Sequence, residues 1–218
     1  MNPRYDDATS PEAKTGRDIQ QEANLLNHLS ESVNNTLKLP HDIQLVGKQC
    51  DTANAWWDPN DNSVTLCYEE ANEGLEIYTK AGDADPRAST VNGEIATFYH
   101  ELGHMVISLY DLPITGREED VADQLSAYIL LTPGPDGKVD PGNVQAIKDS
   151  AREFQATPRP PVNSMTPTSP VATRRTRSGP STWNAGSTGP IRPPTATWSA
   201  TAIFRRAEPS CARTNGTS

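Results

Sequence analysis

One decapeptide, Thr97-Phe98-Tyr99-His100-Glu101-Leu102-Gly103-His104-Met105-Val106, constrains this chain more than any other stretch. It contains the pattern HExxH. On a helix, His100 and His104 stand one turn apart (i, i+4), so both imidazoles leave the same face and can grip one metal ion. Glu101 sits about 100° further round. Its carboxylate therefore lies beside such an ion, where it can take a proton from water. By average residue usage, a chance HExxH falls in on the order of one chain in a hundred of this length. Ile95, Phe98, Leu102, Met105, Val106 and Leu109 form an apolar stripe, as a helix packed on a core requires.

Two histidines leave a tetrahedral site short of one protein ligand, and the ligand imidazoles need an outer acceptor to orient them. Both can come from the next element. Asp111-Leu112-Pro113 and Gly116 turn the chain, and helical periodicity resumes at Glu118-Glu119-Asp120-Val121-Ala122-Asp123. Glu119 and Asp123 are again i, i+4. Glu119 is the expected third ligand and Asp123 the expected acceptor, with Glu118 and Asp120 as alternatives for the ligand. Acids in a first helical turn are also favoured by the macrodipole, so the pattern without HExxH would be unremarked.

HELGH followed by REED-x-AD resembles a bacterial metallopeptidase family. The family's upstream block is also present: Leu39-Pro40, Cys50, Asn54-Ala55, Asp58-Pro59 and Leu66-Cys67-Tyr68-Glu69. The likeness runs over about residues 20 to 157. More distantly, the chain is similar to bacterial antirepressor proteases that carry HELGH and a downstream helix with a glutamate ligand. Both resemblances imply an α+β, zincin-like domain with a small β-hairpin or sheet and an HExxH helix. They imply zinc held by His100, His104 and Glu119, with Glu101 as base and Asp123 in the outer shell. Peptide or protein is then the substrate. A second reading is a zincin-fold scaffold or binding protein without catalysis.

Composition sets the outer limits. Of 218 residues only 34% are hydrophobic and 6% aromatic, low for a chain folded throughout. The net charge of −9 argues against nucleic acid as a partner of the whole chain. No apolar run is long enough for a transmembrane helix, and the polar start has no apolar signal segment. Cys50 and Cys67 are placed to meet across a short β-hairpin, so a disulfide is plausible. A disulfide calls for an oxidising compartment, hence an exported protein whose signal lies upstream; the alternative is two buried thiols.

Along the chain, residues 1–13 read as disordered. Thr15 to Leu37 reads as one helix with His28 on its surface. Leu39-Pro40 stops it, and His41 falls in a loop. Ile43 to Cys50, Ala55 to Trp57 and Ser63 to Tyr68 read as strands, one of which is either a substrate-binding edge or purely structural. Helices follow at Glu69 to Lys80, Thr90 to Tyr110, Arg117 to Leu131 and Gly142 to Gln155, with Ala81 to Arg87 as a loop. A metal-assisted peptidase also needs a donor for the oxyanion. The candidates are Tyr99, Tyr110, Tyr128, His28 and His41.

From Pro158 onward the composition changes. Sixty-one residues hold 10 of the 19 prolines, 8 arginines, no lysine and one acid, Glu208, so this tail carries +7 and the rest −16. It reads as a disordered basic tail. Arg, Pro, Ala, Gly, Ser and Thr without Lys is also what a GC-rich gene yields out of frame, and on that reading the true C-terminal part of the domain is lost.

Overall fold

The chain divides into two units, Met1–Thr157 and Pro158–Ser218, and the computed structural model describes residues 1–156 of the first. The expectations about the basic tail lie outside the described residues. Ten elements follow in order: β1 (Asn2–Tyr5), α1 (Pro11–Glu22), α2 (Leu25–Thr36), β2 (Gln44–Lys48), β3 (Ala55–Asp58), β4 (Ser63–Cys67), α3 (Tyr68–Ala81), α4 (Pro86–Leu109), α5 (Glu118–Leu131) and α6 (Pro141–Ala156). The strands form one sheet in the order β1-β2-β4-β3. β1 and β2 run parallel, as do β2 and β4, while β3 is antiparallel to β4; β1 and β3 are the two edges.

β4 is buried at all five positions. Successive strand side chains point to opposite faces, so both faces are covered at this strand. The core gathers Leu45, Val64 and Leu66 from the strands with Ile19, Leu26, Phe98, Met105 and Leu130 from the helices. α4 is the spine, 24 residues and roughly 36 Å long at 1.5 Å per residue. It contacts α3, α5, α6 and β3. It starts four residues before the expected Thr90, because Asp85 caps it, accepting from the Ala88 N–H at 3.1 Å, and Pro86 fills its first turn.

The expected disorder of residues 1–13 is overturned. β1 borrows its order from β2: the Asn2 N–H donates to the Ile43 carbonyl and the Asp6 N–H to the Gly47 carbonyl, both at 2.8 Å. Backbone pairing along a sheet edge needs no apolar side-chain pattern, so composition gave no sign of it. The expected helix Thr15 to Leu37 is two helices, broken at Asn24, which takes a left-handed φ of 49°. The apolar spacing runs on across the break. Tyr5 stabilises it, its hydroxyl donating to the Gln20 carbonyl at 3.1 Å and accepting from the Leu26 N–H at 3.2 Å.

Cys50 and Cys67 form a disulfide. It does not cross a hairpin, however. It joins the ends of the parallel strands β2 and β4, where Lys48 lies opposite Cys67. The Glu69 carboxylate accepts from the Cys50 and Asp51 N–H groups at 3.0 and 2.9 Å. Disulfide and carboxylate together pin the loop that leads into β3. Replacing both cysteines by alanine should lower unfolding stability by about 3 kcal/mol, the entropy of closing a loop of this length. Urea titration measures it; a midpoint equal to that of the unaltered chain would show that the crosslink carries no stability.

Candidate metal centre

α4 presents His100 and His104 on one face, and α5 begins against that face. The His100 and His104 Nε2 atoms lie 3.2 Å apart. A Glu119 carboxylate oxygen lies 3.3 Å from the first and 3.5 Å from the second. For an ion bonded at about 2.0–2.1 Å with tetrahedral angles, ligand atoms stand about 3.3–3.4 Å apart. The three observed edges match that face of a tetrahedron.

The other ring nitrogens explain why the rings point inward. His100 Nδ1 is 2.8 Å from an Asp123 carboxylate oxygen, and His104 Nδ1 is 2.8 Å from a Glu118 oxygen. A carboxylate only accepts, which assigns the ring proton to Nδ1 and leaves the Nε2 lone pair toward Glu119. Two imidazole lone pairs and a carboxylate oxygen thus converge within 3.5 Å. A cation seated among the three would make that arrangement favourable. A second trio close enough to hold an ion is Cys50, Cys67 and Glu69, but its cysteines are bonded to each other.

Glu101 stands beside the trio, 8% exposed, and one carboxylate oxygen accepts the Trp57 N–H at 2.9 Å. β3 therefore fixes the carboxylate from the sheet side. Burial raises its pKa, and the two histidines and the Trp57 bond pull the other way. At His104, burial opposes the charged ring, but Glu118 and the neighbouring carboxylates outweigh it, so its pKa is raised.

Gly103 is what lets α5 come this close. A β-carbon at Gly103 would stand 2.8 Å from Ala122 Cα and 3.1 Å from its Cβ. Ala122 itself is fully buried and lies three residues after Glu119.

A protein family described as "Putative metallopeptidase" matches residues 5–164. The chain belongs to that family. Among curated proteins and among solved structures, nothing matches the chain. The family description points to a peptidase that uses a metal, and among the described residues His100, His104 and Glu119 are a candidate group for holding one.

The structure thus brings together His100, Glu101, His104, Glu119 and Asp123. Of the alternative ligands, Glu118 instead meets the outer nitrogen of His104, and Asp120 is exposed on the first turn of α5. Sequence reasoning sought a single outer acceptor; two ligand imidazoles call for two, and Glu118 was the adjacent acid. The Trp57 contact to Glu101 had no sequence signal, since it is made by backbone. Among the oxyanion candidates, the Tyr99 hydroxyl is bonded to the Ser32 hydroxyl, and the Tyr110 hydroxyl donates to the Lys38 carbonyl. His28 is exposed on α2, and His41 pairs with Asn62. Tyr128 is nine residues after Glu119, half a turn round α5.

Beneath the site lie more acids. Burial first, then Glu153, pushes the Glu70 pKa up to about 8, although Thr97 donates to it at 3.2 Å. Burial likewise raises Glu94, whose carboxylate accepts from the Gln20 amide at 2.7 Å. The folded chain holds the Glu70 proton that the unfolded chain releases near pH 4.5. Stability from this group is therefore intact below about pH 4.5, falls as pH rises, and is fully lost above about 8. Glu70→Gln should match the unaltered chain in melting temperature at pH 4.5 and exceed it at pH 8. A difference independent of pH would mean that Glu70 is ionised at neutrality.

Proposed function

We propose that the chain is a zinc-dependent peptidase whose ion is held by His100, His104 and Glu119. The observation that carries this reading is the triangle of two Nε2 atoms and one carboxylate oxygen with edges of 3.2, 3.3 and 3.5 Å. Two imidazoles and a carboxylate suit zinc and keep a fourth position for water or substrate. When bound, zinc supplies a Lewis acid that acidifies water and polarises the scissile carbonyl.

The protein's own part follows from Glu101. Its carboxylate accepts the proton of the attacking water and passes it to the leaving amine. The Trp57 N–H holds that carboxylate in one orientation, and Asp123 and Glu118 do the same for the two rings. β3 is one of the sheet's two edge strands and carries Trp57 beside Glu101, so a peptide adding along this edge arrives next to the base. The disulfide suits an oxidising compartment, and hence an exported protein. No described helix is long and apolar enough to cross a membrane.

A second reading is a zinc-binding scaffold without catalysis. What favours it is that the hydroxyls of Tyr99 and Tyr110 are engaged away from the trio, and Tyr128 stands half a turn from Glu119. One experiment separates the two. Metal analysis of the full chain should return about one zinc per chain, lost in His100→Ala. Peptide hydrolysis, followed on a mixed peptide substrate, should stop on chelation and return with zinc. Zinc bound without hydrolysis selects the scaffold; hydrolysis indifferent to chelation sinks both readings.

A further inference from the structure

A cavity of about 330 Å³ opens from His100 and Glu101 toward α6. Its walls include Ala55, Ala96, Ile147, Ala151 and Phe154, and Glu70 also lines it. This is room of the order that a ligand pocket needs, mostly apolar, with few polar groups. Two features single it out. First, Glu70 Oε2 is shut off from solvent and has no hydrogen-bond partner among the described residues. Second, the acids Glu70, Glu101 and Asp123 line the cavity, with no lysine or arginine among the described residues that do. The nearby cation Arg152 is bound to Asp83 and Asp149.

A buried carboxyl oxygen without a donor is costly, and a carboxylate without a counter-charge more so. Apolar walls with an acid between them suit a long aliphatic stem ending in a cation. Exposed Phe154 adds an aromatic face for such a stem or its head. We infer that this cavity is a specificity pocket for a lysine or arginine side chain next to the scissile bond, with Glu70 receiving the cation. The inference rests on the peptidase reading and adds a substrate class to it. When the cation enters, Glu70 gives up its proton to solvent and accepts hydrogen bonds in its place.

The test uses the zinc-loaded full chain and two probes of the same shape, n-butylguanidinium and uncharged n-butylurea. Binding is read by calorimetry or by NMR shifts, without turnover. The expected result is at least tenfold tighter binding of butylguanidinium. Glu70→Gln should abolish that preference and leave zinc content unchanged. Equal binding of the two probes to the unaltered chain overturns the inference, and so does a preference that survives Glu70→Gln. The first comparison needs no variant to fold. Ala151→Leu, at an exposed wall position, should weaken both probes alike.

A second arm keeps the two readings apart. If peptides are cleaved with no preference for Lys or Arg beside the cut, the pocket assignment fails and the peptidase reading stands. If no peptide is cleaved while the cationic probe binds selectively, the pocket stands as a cation site and the peptidase reading fails.

Discussion

Glu101→Gln is expected to keep its zinc and to lose about 10²- to 10⁴-fold in kcat/KM for peptide hydrolysis, the span that general acid–base catalysis contributes. The reason lies in what the substitution preserves. Glutamine has the length of glutamate, and its amide oxygen can still accept the Trp57 N–H that the carboxylate accepts at 2.9 Å. Glu101 is not one of the three atoms of the metal-binding triangle, so the ligand set is untouched. Burial already raises the pKa of this carboxyl, so a neutral amide in its place removes no folding energy that charge had supplied. What disappears is the acceptor of the water proton. The loss should therefore fall mainly on kcat, with a KM near that of the unaltered chain. Metal content and the melting curve, measured on the same sample, serve as controls. A variant that cleaves at the normal rate with full zinc would remove Glu101 from the chemistry.

The grouping of His100, His104 and Glu119 was legible because its rule is local. An i, i+4 pair on a helix fixes its own geometry, and acids opening the next helix lie within reach once a short turn joins the two. What remained hidden was set by partners distant in sequence. β1 is ordered by the backbone of β2, and no side-chain pattern announces a parallel edge strand. The antiparallel pairing of β3 with β4 was readable from the Asp58-Pro59-Asn60-Asp61-Asn62 turn. The insertion of β4 between β2 and β3 was not, and so the cysteines were paired correctly but across a hairpin, whereas they join two parallel strands. Asp85-Pro86 was read as loop although an acid before a proline is a helix-start signal; the earlier start of α4 was available and overlooked. Glu70 follows Glu69 in sequence, yet one pins the disulfide loop and the other lines the cavity. Neighbouring residues at a helix start diverge by about 100°, and only the packing shows what each one meets.

Gly103→Ala should destabilise the fold by about 1–3 kcal/mol, and Gly103→Leu should also cost at least about 100-fold in zinc affinity. The sign alone is informative. At an open position inside a helix, alanine in place of glycine stabilises by up to about 1 kcal/mol, because glycine loses more backbone freedom on folding. Gly103 is buried in mid-α4, and its neighbour is the backbone of α5 at Ala122, not the movable end of a side chain. A new β-carbon 2.8 Å from Ala122 Cα can be relieved only by moving one helix from the other. Ala122 follows Glu119 by a single turn, so that movement carries Glu119 away from His100 and His104. Distances of 3.3 and 3.5 Å leave little slack: another ångström takes the carboxylate beyond what one ion bonded at about 2.1 Å can span. Leucine forces the larger separation and should lose the metal at concentrations where alanine retains part of it. Thermal melts and competition with a zinc chelator measure the two effects separately. A stabilised Gly103→Ala would show that α4 and α5 are not in close contact at this glycine, and Glu119 would then have no fixed route to the two rings.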